Sequence, residues 1–174
     1  DYWADPGQQN KPDAWKNLSF DELKEAVHKY TYDVLYRLKI MDCAPDMVQI
    51  GNEIRSGMLF PDGAVPQYRQ LAELVNEGIR AVRELLPETK VMIHLDQGGR
   101  YNCIMPWLDS MFNAGMLPID AIGLSFYSFW HGTFMDLKDT MSRLIKLYNL
   151  PVYIVETAHP WRHCKGDHIS KELM

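Results

Sequence analysis

Two glutamates stand where short apolar runs of this 174-residue sequence end. Glu53 follows the run Met47–Ile50 and a glycine, with Asn52 directly before it, and Glu156 closes the run "VYIVE". A carboxylate at the end of a buried strand needs a partner or a chemical task, because burying an unpaired charge is costly. Two such groups at one edge of a sheet could act as a general acid and as a nucleophile or base.

Paired carboxylates of this kind are what hydrolysis of a glycosidic bond requires, with one group protonated and the other ionised. The amide of Asn52 could bind a sugar 2-hydroxyl beside Glu53. Tyr127 follows the strand before that of Glu156 and could donate a hydrogen bond that keeps this carboxylate ionised. The alternative is that both glutamates are ordinary surface residues at strand ends. The presence of the pair alone does not distinguish a catalytic role from this alternative.

The elements that must position these side chains alternate between helix and strand. Apolar spacing predicts helices over residues 19–41, 67–87, 101–114 and 136–150. Ser19 and Glu22 form a capping-box pattern at the start of the first helix. Strands are predicted to end near residues 51, 95, 125 and 156, with an aromatic loop after the third. They are apolar on both faces, as in a parallel sheet covered by helices.

Alternating strands and helices fit either an open doubly wound sheet or a closed (β/α)8 barrel. The sequence contains neither GxGxxG nor GxxxxGK[ST], the phosphate-binding loops of the first architecture. Polar or aromatic residues follow every strand instead, which is typical of a barrel with its site at the carboxyl edge. A barrel needs about 250 residues. We therefore predict an α/β TIM-barrel fold in which residues 1–174 form a single, partial (β/α)8 catalytic domain.

Composition argues against several partners. The net charge of −5 and the lack of a basic block argue against nucleic acid. No apolar run approaches the ~18 residues of a membrane span. Three distant cysteines form no disulfide framework. We expect a monomer without cofactor or metal, although one segment could close a zinc site, with His159, His163, Cys164, Asp167 and His168.

Five motifs together resemble glycoside hydrolase family 53, the endo-β-1,4-galactanases, which are retaining (β/α)8 glycosidases. They are "DYWADPGQQNKP", "VQIGNEIRSGMLFP", "VMIHLDQGG", "IGLSFYSFW" and "VYIVETAHPW". The resemblance spans nearly the whole chain, in order. It implies a stretch from the end of barrel strand three through strand seven. Ser128 and Gln97 depart from the residues usual in the family, and both lie in loops.

The resemblance also implies roles for individual residues. Glu53 would be the acid/base and Glu156 the nucleophile. The residues it implies for substrate binding are Asn52, Tyr127, His94, Asp96 and Trp3. The implied activity is endo-acting, retaining hydrolysis of β-1,4-galactosidic bonds in pectic galactan or arabinogalactan. Because that polymer lies outside the cell, we expect an extracellular, cell-surface or periplasmic protein whose signal peptide is not in this stretch.

Three other hypotheses stay open on the sequence alone. A same-clan glycosidase could act on mannan or xylan, because strand-end carboxylates do not distinguish these polymers. The short chain could be an inactive sugar-binding fragment. The segment 159–168 could instead serve a metallohydrolase.

Overall fold

The computed structural model describes residues 5–158, which form a parallel sheet flanked by helices. The strands are β1 Met47–Ile50, β2 Gly57–Met58, β3 Gly63–Ala64, β4 Lys90–Leu95, β5 Ala121–Ser125 and β6 Val152–Glu156. The helices are α1 Phe20–Ile40, α2 Tyr68–Leu85, α3 Tyr101–Asn113, α4 Ser128–His131 and α5 Phe134–Tyr148.

The main sheet has the order β1-β4-β5-β6, and all its strands are parallel. A helical connection joins each strand to the next, as the alternating pattern predicted, so all four carboxyl ends meet at one edge of the sheet. The connection after β1 also contains the small antiparallel pair β2 and β3, which the sequence did not predict.

Local capping fixes where two helices begin. Ser19 and Glu22 form the predicted capping box before α1, with each side chain bonded to the other residue's backbone N–H. Thr133 and Asp136 do the same before α5. Helix α5 therefore begins at Phe134, two residues before the predicted start. The predicted aromatic loop after β5 is also more ordered than expected, because it contains the short helix α4.

The two faces of the sheet differ in what covers them. The helix-facing side is the hydrophobic core, and its strand residues include Val91, Ile93, Leu95, Ile122 and Leu124. The opposite face carries the alternate residues of each strand and lies outside this core cluster. On β6 it exposes Tyr153 to 42% and Val155 to 36%. Within residues 5–158 the helices therefore pack on one face of the sheet, as in the wall of the predicted barrel.

Both outer strands of the described sheet have one neighbour each, β4 for β1 and β5 for β6. An apolar groove of about 310 Å³ runs beside β1, between that strand and α1. Within residues 5–158, no helix combines the length and the apolar character needed to cross a membrane.

Candidate active site

A sharp turn after β1 presents the first glutamate. Gly51 has φ +78° and Glu53 has φ +48°, both in the left-handed region that side chains other than glycine rarely adopt. A Cβ atom on Gly51 would lie 2.5 Å from Cγ2 of Ile54, which is fully buried. The buried Ile54 and the glycine together force the chain to turn here, and the half-buried Glu53 sits at the carboxyl edge of the sheet.

An irregular pairing at the end of β6 places the second glutamate. Leu124 pairs with Ile154, but the next residue, Ser125, pairs with Glu156, so Val155 is an extra residue on β6. Such bulges re-aim side chains at strand ends. Here the bulge sets Glu156 beside Ser125, at the same edge of the sheet as Glu53.

The two glutamates lie close together. One carboxylate oxygen of Glu53, one of Glu156 and one ring nitrogen of His94 all lie within 4.8 Å of one another. Carboxyl groups that cleave glycosides with retention are about 5 Å apart, whereas inverting enzymes need more than about 6.5 Å. The spacing therefore fits a retaining pair.

Burial raises the pKa of Glu53 above its ordinary value. The negative charges of Glu156 and Asp96 raise it further, while the Arg55 guanidinium opposes them. A hydrogen bond from the Ser125 side chain acts in the opposite direction and lowers the pKa of Glu53, but the effect of burial is larger. A carboxyl group with a raised pKa is the one suited to hold and donate a proton near neutral pH.

Glu156 has a different set of partners. The Tyr127 hydroxyl donates a hydrogen bond of 3.0 Å to its Oε2, as the sequence predicted. Burial, and then the hydrogen bond to Glu156, raise the pKa of Tyr127, so the phenol keeps the proton that it donates. Oε1 of Glu156 lies 3.9 Å from Nδ1 of His94.

His94 lies beneath both glutamates and is fully buried. Its Nδ1 is 3.0 Å from Oδ1 of Asn52, and its Nε2 is 2.8 Å from Oγ of Ser125. Burial lowers the pKa of His94, so the ring is neutral at pH 7. Glu53, His94 and Glu156 are metal-ligand types within reach of one ion. Both imidazole nitrogens already bond protein groups, however, so this trio does not offer a histidine ligand.

Asp96 forms a two-point ion pair with Arg55. The Arg55 Nε and Nη2 donate to its two oxygens at 2.7 and 2.9 Å. The next residues pack closely on β5 and α4. A Cβ atom on Gly98 would lie 2.8 Å from the Ser125 carbonyl oxygen, and one on Gly99 would lie 2.1 Å from that of His131. The motif "DQGG" therefore has a packing role that accounts for both glycines.

The structure brings most predicted site residues together. Glu53, Glu156, Asn52, Tyr127 and His94 form one connected group. The sugar contacts predicted for His94 and Asp96 stay predictions, since one is fully buried and the other is paired. Trp3 and the zinc-type cluster of segment 159–168 lie outside the described residues.

Sequence reasoning missed three members of the site, namely Ser125, Arg55 and Gln9. Gln9 is almost completely buried, and its Nε2 donates 2.9 Å to the backbone oxygen of Asn52. Ser125 had one available signal, because it is the polar residue that closes an otherwise apolar strand. Nothing in the spacing of Arg55 or Gln9 marked them, since their partners depend on how loops meet in space.

Fold and site together define a class of protein. A parallel β/α sheet with helices on one face carries two acidic groups at its carboxyl edge, which is the arrangement of a (β/α)8 barrel glycosidase. The described residues form part of such a barrel.

Comparison with known proteins gives the family. The profile described as glycosyl hydrolase family 53 matches residues 1–173. The chain belongs to this family, as the sequence motifs had indicated.

Two curated relatives illustrate the range of similarity. A Niallia circulans protein, named only "Uncharacterized protein in bgaB 5'region", is 46% identical over 92% of this chain and 46% of its own length. An arabinogalactan endo-β-1,4-galactanase of Thermothelomyces thermophilus is 33% identical over 92% of this chain and 50% of its own. The chain thus spans about half the length of the curated relatives it matches.

Solved structures agree with the family and with the fold. An Ignisphaera aggregans GH53 catalytic domain superposes with a TM-score of 0.88 at 40% identity, covering 95% of this chain and 46% of that one. A structure from a study of two fungal β-1,4-galactanases gives a TM-score of 0.84 at 31% identity, covering 89% of this chain and 48% of that one.

Proposed function

We propose that the full-length protein carrying this chain is an endo-acting, retaining β-1,4-galactanase, with residues 1–174 as part of its catalytic domain. One observation carries the mechanism. The oxygens of Glu53 and Glu156 lie within 4.8 Å of each other in different environments: burial raises the pKa of Glu53, whereas Glu156 accepts a hydrogen bond from the Tyr127 hydroxyl. In double displacement, one of two such carboxyl groups is the acid and the other is the nucleophile.

In the first step, Glu53 donates its proton to the glycosidic oxygen while an oxygen of Glu156 attacks the anomeric carbon. The bond to the leaving sugar breaks as a galactosyl ester of Glu156 forms. The charge on Glu156 stabilises the oxocarbenium-like transition state, and the Tyr127 hydroxyl holds that carboxylate in place.

In the second step, Glu53 is ionised and acts as a base. It takes a proton from a water molecule, whose oxygen attacks the anomeric carbon and releases Glu156. Two inversions give net retention, and Glu53 ends the cycle protonated as it began. Asn52, held by Gln9 and His94, is placed to bind the 2-hydroxyl of the reacting sugar.

The choice of polymer is supported by the names of relatives. The Thermothelomyces thermophilus protein is named an arabinogalactan endo-β-1,4-galactanase, and a Bacillus subtilis protein that is 32% identical is named an endo-β-1,4-galactanase. A substrate of this kind is a polysaccharide outside the cell, so we also propose that the protein is exported. Hydrolysis rates on galactan, mannan and xylan would separate this proposal from the same-clan alternative.

The glutamate assignments are tested by substitution in the full-length protein. We expect Glu53→Gln to lower kcat on galactan by about 10²–10⁴-fold, and Glu156→Gln to lower it at least as much. Glu88→Gln, on an exposed loop at the opposite end of the sheet, is the matched control and should leave kcat unchanged. Undiminished activity of Glu156→Gln would remove the nucleophile. Galactan binding by the unmodified protein without release of reducing sugar would favour the sugar-binding alternative.

A further inference from the structure

The ion pair between Arg55 and Asp96 stands directly beside Glu53. Arg55 follows Glu53 by two residues, with the fully buried Ile54 between them. Its Nε donates 2.7 Å to Oδ1 of Asp96, and its Nη2 donates 2.9 Å to Oδ2. Both oxygens of the carboxylate are therefore engaged by one guanidinium, and a two-point contact of this kind fixes the direction of the arginine side chain.

The loop after β4 holds the Asp96 side of this pair in place. Gln97 has φ +66°, in the left-handed region, and its Nε2 donates 3.2 Å to Oδ2 of Asp96. The backbone N–H of Gly98 donates 2.9 Å to the carbonyl oxygen of Ser125 on β5. Because the loop is tied to the neighbouring strand, it presents the Asp96 carboxylate at one fixed position, where that carboxylate can hold Arg55.

A guanidinium this close to Glu53 would, without a partner, favour the wrong protonation state of the acid. A cation near a carboxylate favours the ionised form, which has no proton to donate. Burial is the main cause that raises the pKa of Glu53; the negative charge of Asp96 adds to this effect and the positive charge of Arg55 opposes it. Two opposite charges in direct contact largely cancel at a third group. The pair therefore acts on Glu53 more weakly than Arg55 alone would.

We propose that Asp96 is a positioning residue that captures the Arg55 guanidinium and keeps it from forming an ion pair with Glu53. In this role Asp96 acts through Arg55, without contact to the reacting atoms. The pair also links the turn that carries Glu53 to the end of β4, so the turn is fastened without leaving a free cation beside the acid. The catalytic use of Glu53 rests on the proposed function, whereas the capture of Arg55 does not.

Titratable and charged groups from every neighbouring element also face Glu53 or the ion pair. They are Glu156 on β6, the Ser125 hydroxyl on β5, His94 on β4, Tyr127 after β5, His131 on α4, and Arg100 and Cys103 at the start of α3. None of them is substituted in the variants below. A change in the pKa of Glu53 in these variants therefore reports on the ion pair.

The first test removes the charge that captures Arg55. In full-length Asp96→Asn, we expect the pKa of Glu53, followed by carbon-13 NMR of labelled glutamate carboxyl groups, to fall by about one unit. The loss of a negative neighbour and the release of the guanidinium act in the same direction. The basic limb of the kcat/KM profile on galactan should fall equally. Asp33→Asn breaks a pair with Lys29 on the surface of α1 and should change neither value. An unchanged or raised pKa in Asp96→Asn would overturn the proposal.

The second test removes the released guanidinium as well. When Arg55→Gln is added to Asp96→Asn, we expect the pKa of Glu53 and the basic limb to regain most of what the single variant lost. A pair that only held the fold together would give no such recovery, because the double variant lacks the same contact as the single one. A double variant whose values equal or fall below those of Asp96→Asn would contradict the capture of Arg55.

Arg55→Gln alone completes the comparison. It leaves the negative charge of Asp96 without a partner near Glu53, so the pKa of Glu53 should rise above that of the wild type. The expected order of this pKa is Arg55→Gln highest, wild type next and Asp96→Asn lowest, and any other order would overturn the proposal. Because the NMR titration requires no substrate, its outcome is independent of whether the protein cleaves galactan. Failure of the proposed function would instead appear as absent hydrolysis with this order intact.

Discussion

At the scale of single residues, two glutamates acquire different properties from their neighbours. Glu53 sits against buried groups and two other carboxylates, which raise its pKa. Glu156 receives the Tyr127 hydroxyl and faces His94. The same side-chain type therefore has a raised pKa at one position and a phenolic hydrogen-bond donor at the other, less than 5 Å apart.

The raised pKa of Glu53 predicts how stability depends on pH. Because the folded state holds this proton more tightly than the unfolded state, Glu53 favours folding below the ordinary pKa of glutamate, and this contribution is lost as pH rises through the raised value. We expect the free energy of unfolding of wild type, relative to Glu53→Gln, to fall as the pH rises from about 4 through the raised pKa of Glu53. Urea unfolding of both proteins across this range measures it, and a relative rise would contradict the raised pKa.

Residue types and positions made part of the site predictable. Glu53, Asn52 and Glu156 follow strands directly, and Tyr127 follows its strand closely, so the parallel arrangement alone brings them to one edge. Ser125, Arg55 and Gln9 were not predicted, because their partners depend on details that the sequence does not display. The bulge at Val155 places Ser125 beside Glu156. The fold of residues 5–12 brings the Gln9 side chain within hydrogen-bonding distance of Asn52.

At the scale of elements, the turn after β1 matters most for the site. It combines a glycine at φ +78°, a glutamate at φ +48° and the buried Ile54. Strained backbone at a functional position persists only where packing holds it. The packing of Ile54 thus fixes the direction of Glu53, and the turn should tolerate little change.

Comparing alanine substitutions at two glycines should separate the energetic cost of backbone strain from that of a steric clash. Gly115 after α3 also has positive φ, at +91°, but no atom lies within 4 Å of a Cβ placed there. Gly115→Ala should therefore lower the free energy of unfolding by about 1–2 kcal/mol from backbone strain alone. Gly51→Ala, which also clashes with Ile54, should cost roughly 1–3 kcal/mol more and should lower kcat. Equal losses in urea unfolding would show that the clash is relieved cheaply.

Long elements were predictable and short ones were not. Apolar periodicity identified α1, α2, α3 and α5, and apolar runs identified the four strands of the main sheet. The pair β2 and β3 has two residues per strand, and α4 has four residues. Segments this short show no apolar periodicity in the sequence, so tertiary contacts determine whether they form.

At the scale of the whole molecule, the described sheet resembles the wall of a barrel more than a closed body. Helices cover one face, while Tyr153 and Val155 on the other face remain partly exposed. Within residues 5–158, β1 and β6 each pair along one side only. The sequence predicted the barrel class from polar residues at strand ends, but strands apolar on both faces did not reveal which face the helices leave open.

This exposure predicts the behaviour of the 174-residue chain produced alone. Unpaired strand edges and apolar surface favour association between copies. We therefore expect the isolated chain to form dimers or larger species in light scattering, and to bind a hydrophobic dye that the full-length protein does not bind. A stable monomer without dye binding would show that these surfaces are compatible with water in the isolated chain.

Under the proposed mechanism, Glu53 and Glu156 flank one bond between sugars and cleave it in two displacements. Proton NMR of the sugar first released by the full-length protein from a β-1,4-linked galactan oligosaccharide tests this most directly, when it is recorded before the anomers equilibrate. The separation of the carboxyl groups, within 4.8 Å, predicts that the β anomer appears first. Initial appearance of the α anomer would contradict double displacement, because it would require a single displacement by water between the two groups.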